Sequence, residues 1–269
     1  MVAALQKRMI HMLTDQQIES YHRDGYTVAR GLFSAEDVAR MKTEIDAVWD
    51  RCGRGEKAQN TAFAGVKKMS TIRDPQLHSG VFTRYLTDPK LTGPMSQLLG
   101  PDVQLHHSKV NIKTQDDRTI FPLHQDAPYF PHEQNSLCTV LVHLTATASE
   151  RGCFRVIPGV KEMLPHVNDE GHILPPDEYP LERAEELPAA AGDVVFMSSF
   201  TPHGSNLNTT DEPRVLWIIQ IRSPTDHPIE QPAGTLQPTA PGNRPSQGTM
   251  LCGINPDFER AASGESSRL

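Results

Sequence analysis

The chain has 269 residues, 37% of them hydrophobic, and a formal net charge of −7 at pH 7. That length accommodates one large sandwich or barrel with a full core, and an acidic balance without Lys/Arg clusters argues against a nucleic-acid partner. No apolar run reaches the ~18 residues that span a bilayer and no signal-peptide pattern opens the chain, so the expectation is a cytoplasmic protein off the membrane.

Thr14 with Gln17 forms a capping box that opens a helix running to about Arg23. Tyr26 to Ala29 reads as a short strand. Ser34 then caps a helix whose Val38, Met41, Ile45, Val48 and Trp49 make a 3.6-residue stripe. Pro94 to Leu99 reads as a short helix stopped by Gly100. From Val103 the pattern changes to strands over 103–113, 137–145, 153–157, 193–200 and 214–222, separated by turns. Helices first and strands afterwards predict an α+β, mainly β architecture with N-terminal helices packed on a β-sandwich. The expected domain is 1–222, helical over about 13–100 and stranded over about 103–222. Beyond it, 223–269 holds too many prolines for a ladder strand and reads as an extended tail.

His124 and Asp126 flank Gln125 in an extended segment, so the two side chains are expected on one strand face, able to chelate one ion. His203 follows a buried-strand pattern, Val194 to Met197, opened by the turn Ala191-Gly192-Asp193. Two imidazoles and one carboxylate can hold one face of an octahedral iron(II) and leave the other face open, the usual ligand choice of non-haem iron oxygenases. Arg214 opens the next apolar strand. An arginine entering such a strand is costly unless paired, and a guanidinium matches the distal carboxylate of a 2-oxo acid cosubstrate with two parallel bonds. A guanidinium snorkelling to solvent at the strand end is the alternative.

The run Pro122-Leu123-His124-Gln125-Asp126-Ala127-Pro128-Tyr129-Phe130-Pro131 resembles the iron-binding segment of the phytanoyl-CoA dioxygenase family. Arg151 to Gly159, Ala191 to Phe196, Pro202-His203-Gly204-Ser205 and the opening Asp24-Gly25-Tyr26 through Leu32-Phe33-Ser34 agree in order, so the resemblance spans roughly residues 13–222. It implies a double-stranded β-helix, or jelly roll, that uses Fe(II), 2-oxoglutarate and dioxygen. It further implies that His124, Asp126 and His203 are the metal ligands and that Arg214, with Ser205, holds the cosubstrate. The presence of Asp126 separates the chain from the related halogenases, which lack that carboxylate. The expected reaction is hydroxylation of an aliphatic C–H bond of a small molecule, of natural-product or lipid type. Desaturation, epoxidation or rearrangement with the same cofactors is the alternative, and a non-enzymatic ligand-binding jelly roll is the alternative from another class. Two departures from the family pattern, Arg155 and Gly159-Val160-Lys161, predict a remodelled pocket nearby.

Lys109 shares a strand face with His107 and Asn111, and by the resemblance that face looks inward, where an amine could bind a substrate or cosubstrate carboxylate. A solvated outward amine is the other reading. Gln125 and Tyr129 are further substrate-binding candidates beside the metal segment. His106, His107 and His143 read as structural histidines rather than ligands, since two more ligands would have to converge on each. The acidic segment 161–188 reads as a long loop, a lid or a mobile connection, whose charge would disfavour a coenzyme A ester. Cys52, Cys138, Cys153 and Cys252 show no C-x-x-C spacing, and Cys138 and Cys153 read as reduced core thiols. The expected partner is a small-molecule substrate, for a monomer or homodimer. Ser267-Arg268-Leu269 resembles the S-K-L peroxisomal address, which makes the peroxisome the alternative location.

Overall fold

A computed structural model describes residues 12–52, 70–117, 119–167, 172–229 and 248–256. Most of the proline-rich tail and the terminal Ser267-Arg268-Leu269 lie outside the described residues, as does the side chain of Cys52. Helix α1 (Asp15–Asp24) starts at the expected capping box and ends at Gly25, whose φ of +85° suits a residue without Cβ. Strand β1 (Tyr26–Ala29) and helix α2 (Ala35–Cys52) follow, the latter opened by Ser34, whose hydroxyl accepts from the Asp37 amide. Strand β2 (Ser70–Arg73) and helices α3 (Pro75–His78) and α4 (Gly80–Leu86) have too little periodicity to be foreseen. Helix α5 runs from Pro89 rather than Pro94, to Leu99. Asp88 caps it, and Pro89 costs no hydrogen bond in a first turn.

The remaining strands are β3 (Val103–Lys113), β4 (Phe121–His124), β5 (Cys138–His143), β6 (Phe154–Val156), β7 (Glu185–Leu187), β8 (Val194–Ser198), β9 (His203–Ser205), β10 (Arg214–Arg222) and β11 (Met250–Cys252). They form two antiparallel sheets. The larger runs β1-β8-β5-β10-β3-β11 with β2 also on β3, and the smaller runs β4-β9-β6-β7. Two of these strands lie where the sequence reads as loop or tail. β7 sits in the acidic segment and completes the edge of the small sheet beside β6, and β11 brings residues 250–252 of the tail back to the start of β3. Ser223 to Ile229 also dock: the Asp226 carboxylate accepts from the Gln134 and Ser136 amides, 2.6 Å each.

The large sheet is buried on both faces, and period 2 sorts its side chains. Val140, Val142, Trp217 and Ile219 join a core with the helical residues Met41, Phe82, Leu91 and Met95. Leu141, Leu216 and Ile218 point the other way, toward Phe154, Val156 and Leu187 of the small sheet. Phe82 meets Trp217 edge-on at 5.0 Å between ring centres. Burying each such large side chain contributes roughly 1.5–3 kcal/mol. The helices therefore support the outside of the sandwich and leave its inside to the site. Cys138 and Cys153 are buried free thiols. No described helix is long and apolar enough to cross a membrane.

Candidate active site

Strands β4 and β9 pair so that His124 stands directly opposite His203, with Phe121 opposite Ser205. This register needs a close approach at Gly204, where a Cβ would lie 2.5 Å from the Phe121 carbonyl oxygen. Asp126 comes to the same point by a different route from the shared strand face expected of it. The strand stops at His124, and Asp126 turns into a helical conformation ahead of a 3-10 turn over Ala127–Tyr129. The amides of Asp126 and Ala127 both donate to the Ser199 carbonyl, 3.0 and 3.1 Å, which ties the turn to the segment leading into β9.

The candidate ligand atoms of His124, Asp126 and His203 all lie within 4.8 Å of one another, and all three residues are buried. Each imidazole is pre-set for metal. Nδ1 of His124 donates to the Pro122 carbonyl at 2.8 Å and Nδ1 of His203 to the Thr201 carbonyl at 3.0 Å, so each Nε2 keeps its lone pair. Asp126 Oδ2 accepts from Thr139 Oγ1 at 2.6 Å and from Gln220 Nε2 at 3.0 Å, which leaves Oδ1 facing the histidines. Burial together with the neighbouring His203 pushes His124 down to about 3. A His124 kept from protonating and an Asp126 carboxylate lowered from its ordinary value both suit a divalent cation. The donor set fits iron(II).

The triad opens into one cavity, which Arg214, Ser205, Phe154, Phe121, Tyr129, His107, Lys109 and Asn111 also line. Arg214 is fully buried. One Nη donates to the Gly152 carbonyl at 2.6 Å, while its Nε has no partner. Gly152, at φ +63°, can approach because a Cβ there would sit 2.5 Å from the Asn206 carbonyl oxygen. The guanidinium lies over the Phe154 ring, 5.4 Å from its centre. Directly opposite Arg214 in the β10–β3 ladder is Lys113. Its ammonium donates to Ser205 Oγ at 2.8 Å and to the Asn206 carbonyl at 2.6 Å. Burial first, then the Arg214 charge, pushes Lys113 down to about 6. Arg214 and Lys113 thus stand side by side across the ladder, with Lys113 on Ser205.

Other expectations land differently. Lys109 does face the cavity, with His107 and Asn111 on the same face of β3. Tyr129 lines it too, its ring 6.1 Å from that of His124. Gln125 does not. It is fully buried behind the triad, donating to the Glu162 carbonyl at 2.8 Å and accepting from the Leu164 amide at 2.9 Å, so it anchors the start of the acidic loop. That loop packs on β4 through Leu174 and Ile173, and His172 meets the Tyr129 ring at 5.0 Å. Arg155 leaves the pocket alone: it points to the outside of β6 and pairs with Glu186 of β7. His107 lines the cavity, whereas His106 and His143 are buried outside its wall. The sequence reading missed Lys113, Thr139 and Gln220. Lys113 was findable, since it continues the inward face Lys109–Asn111, but Thr139 and Gln220 acquire their role only through cross-strand pairing of β5 with β10.

A family profile described as phytanoyl-CoA dioxygenase matches residues 21–216. The ectoine dioxygenase of Bordetella parapertussis is 25% identical over 250 residues, covering 84% of this chain and 80% of that protein. The methylphosphonate hydroxylase of Gimesia maris is 26% identical, over 75% of this chain and 78% of its own length. Among solved structures, the non-haem, α-ketoglutarate-dependent epimerase SnoN of nogalamycin biosynthesis superposes with a TM-score of 0.70 at 24% identity, covering 89% of this chain and 96% of that one, and so shares the jelly-roll fold. The chain belongs to the phytanoyl-CoA dioxygenase family and is a non-haem iron oxygenase that uses 2-oxoglutarate and dioxygen.

Proposed function

We propose that this enzyme hydroxylates an aliphatic C–H bond of a small organic molecule, with His124, Asp126 and His203 holding iron and Arg214 and Ser205 holding the distal carboxylate of 2-oxoglutarate. The observation that carries this reading is the pairing, in one cavity, of a three-ligand triad with a buried guanidinium whose Nε has no partner. An unsatisfied buried donor is costly, and a bidentate carboxylate removes that cost. Lys113 stands behind Ser205 and strengthens its hydroxyl as a donor toward the same carboxylate.

Iron and 2-oxoglutarate together supply the oxidant from dioxygen, the cosubstrate leaving as succinate and carbon dioxide. What the chain contributes is placement. Thr139 and Gln220 fix which Asp126 oxygen faces the metal, and the two backbone carbonyls fix both imidazole tautomers. Phe154, stacked on His203 at 5.9 Å, and Leu141 with Ile218 give the wall beside the triad an apolar surface that excludes water and accepts the hydrocarbon part of a substrate.

Anaerobic addition of iron(II) and 2-oxoglutarate should give a weak visible charge-transfer band, and admitting oxygen should release succinate. A product heavier by one oxygen identifies hydroxylation, whereas loss of two hydrogens redirects the reading to desaturation. Absence of both band and succinate removes it.

A further inference from the structure

The segment that carries two of the candidate ligands is bonded on both sides to the acidic stretch 161–188, and Gln125 is the knot. Its side chain is fully buried and lines no part of the cavity. Its amide makes three hydrogen bonds, all to backbone. Nε2 donates to the Glu162 carbonyl at 2.8 Å and to the Phe200 carbonyl at 2.5 Å, and Oε1 accepts from the Leu164 amide at 2.9 Å. The Phe200 bond ties Gln125 to the lead-in of the third ligand. The neighbouring Ser199 carbonyl takes the Asp126 and Ala127 amides, and the Thr201 carbonyl fixes the His203 imidazole.

The acidic stretch returns on the other side of β4. Ile173 bridges antiparallel to His124, the Leu174 amide donates to the Leu123 carbonyl at 2.8 Å, and the His172 ring stands edge-on to Tyr129 at 5.0 Å. The Val167 amide donates to the Ile173 carbonyl at 2.8 Å, so the two arms of the stretch also hold each other. Leu164 and Leu174, one from each arm, close on Leu123 in a small apolar cluster. Each arm therefore grips either a candidate ligand or the residue beside one. A displacement of this stretch must move the backbone that carries His124 and Asp126.

We propose that Gln125 is a positioning residue for the metal: by joining the Asp126 turn, the approach to His203 and the start of the acidic stretch, it couples docking of residues 161–188 to metal binding at the triad. The inference rests on the reading above in which the triad holds iron(II). The outer partners of a metal ligand fix its orientation and so set affinity. Coupling of this kind is reciprocal, so the docked stretch tightens the metal and the metal tightens the stretch. A primary amide suits the role because one planar end offers two donors and an acceptor without a charge. A carboxylate there would set an oxygen against the Glu162 and Phe200 carbonyls, and a thioether would fill the space without making a bond.

The test uses the full chain under anaerobic conditions and two readouts: iron(II) affinity by titration, and hydrogen exchange of the Leu174 amide, whose own acceptor is the Leu123 carbonyl and not Gln125. In the wild type, iron(II) should slow exchange at Leu174. Gln125→Met should weaken iron(II) about tenfold, the scale for an outer partner of a ligand, and remove the effect of metal on Leu174. The affinity of the iron-loaded protein for 2-oxoglutarate should stay the same. Leu174→Ala leaves Gln125 and the triad in place and loosens the opposite arm, so it too should weaken iron(II), and it decides the matter if Gln125→Met does not fold. Iron affinity that holds in both variants while their thermal midpoints fall would make these residues structural and overturn the inference. Exchange at Leu174 that ignores the metal in the wild type would overturn it as well. Failure of the wild type to bind iron(II) at all would instead remove the oxygenase reading, so the two failures are separable.

Discussion

The two ends of the cavity treat their polar groups in opposite ways. At the triad, each group not aimed at the metal already has a partner: both Nδ1 atoms bond backbone carbonyls and Asp126 Oδ2 receives two hydrogen bonds. At the Arg214 end the chain supplies a guanidinium, the Lys113 amine, one carbonyl and one hydroxyl, and leaves Arg214 Nε unsatisfied. The first is a finished socket, rigid before its ion arrives. The second is half of a site, completed by an anion. On the proposed reading the contrast has a reason: a resident metal has to be held in one geometry throughout turnover, whereas a cosubstrate must enter and leave, so its site would keep an unmet demand.

Mutations should break the two ends independently. The largest effect is expected at the socket: Asp126→Ala should abolish the anaerobic charge-transfer band, because two neutral imidazoles alone hold iron(II) poorly, and a retained band would move the metal elsewhere. At the open end, Arg214→Ala should keep iron binding and weaken 2-oxoglutarate by about 2–4 kcal/mol, the scale of losing a buried bidentate partner. Parallel loss of iron would make Arg214 a structural residue instead. Thr139→Val tests whether the socket depends on its outer partners. Iron affinity should fall about 10–100-fold, with 2-oxoglutarate affinity for the loaded protein unchanged.

The smallest effect is a pH dependence confined to the open end. In the ligand-free chain the Lys113 ammonium is pushed down to about 6 by burial and by Arg214, so above that pH the amine is largely neutral. A carboxylate arriving beside Arg214 favours the ammonium, so binding takes up a proton. Affinity for 2-oxoglutarate should therefore rise as pH falls from 8 toward 6 and level off below, and Lys113→Met should flatten the curve. Calorimetry in buffers of different ionisation enthalpy reads the proton directly.

Much of this asymmetry was legible in the chain and some of it was not. His124, Asp126 and His203 could be named as a candidate triad because the residue types are rare in that order and the segments around them are distinctive, yet the way Asp126 comes to the two histidines was misread. A shared strand face was expected, and a turn pinned to the Ser199 carbonyl was found. Gln125 shows the same limit. Its neighbours in sequence are the candidate ligands, but past the end of β4 its side chain turns behind the triad to hold the acidic loop.

Local patterning determined the helices α1 and α2, the long strands β3 and β10 and the candidate metal-binding residues, because capping, period and side-chain chemistry are properties of adjacent residues. It could not determine which strands become neighbours. That Lys113 faces Arg214, that Lys109 faces Arg73, and that Thr139 and Gln220 meet on Asp126 follow from register between segments distant in sequence. Register is decided by which faces the whole sandwich buries, and a shift of one residue would turn each of these side chains away from the cavity.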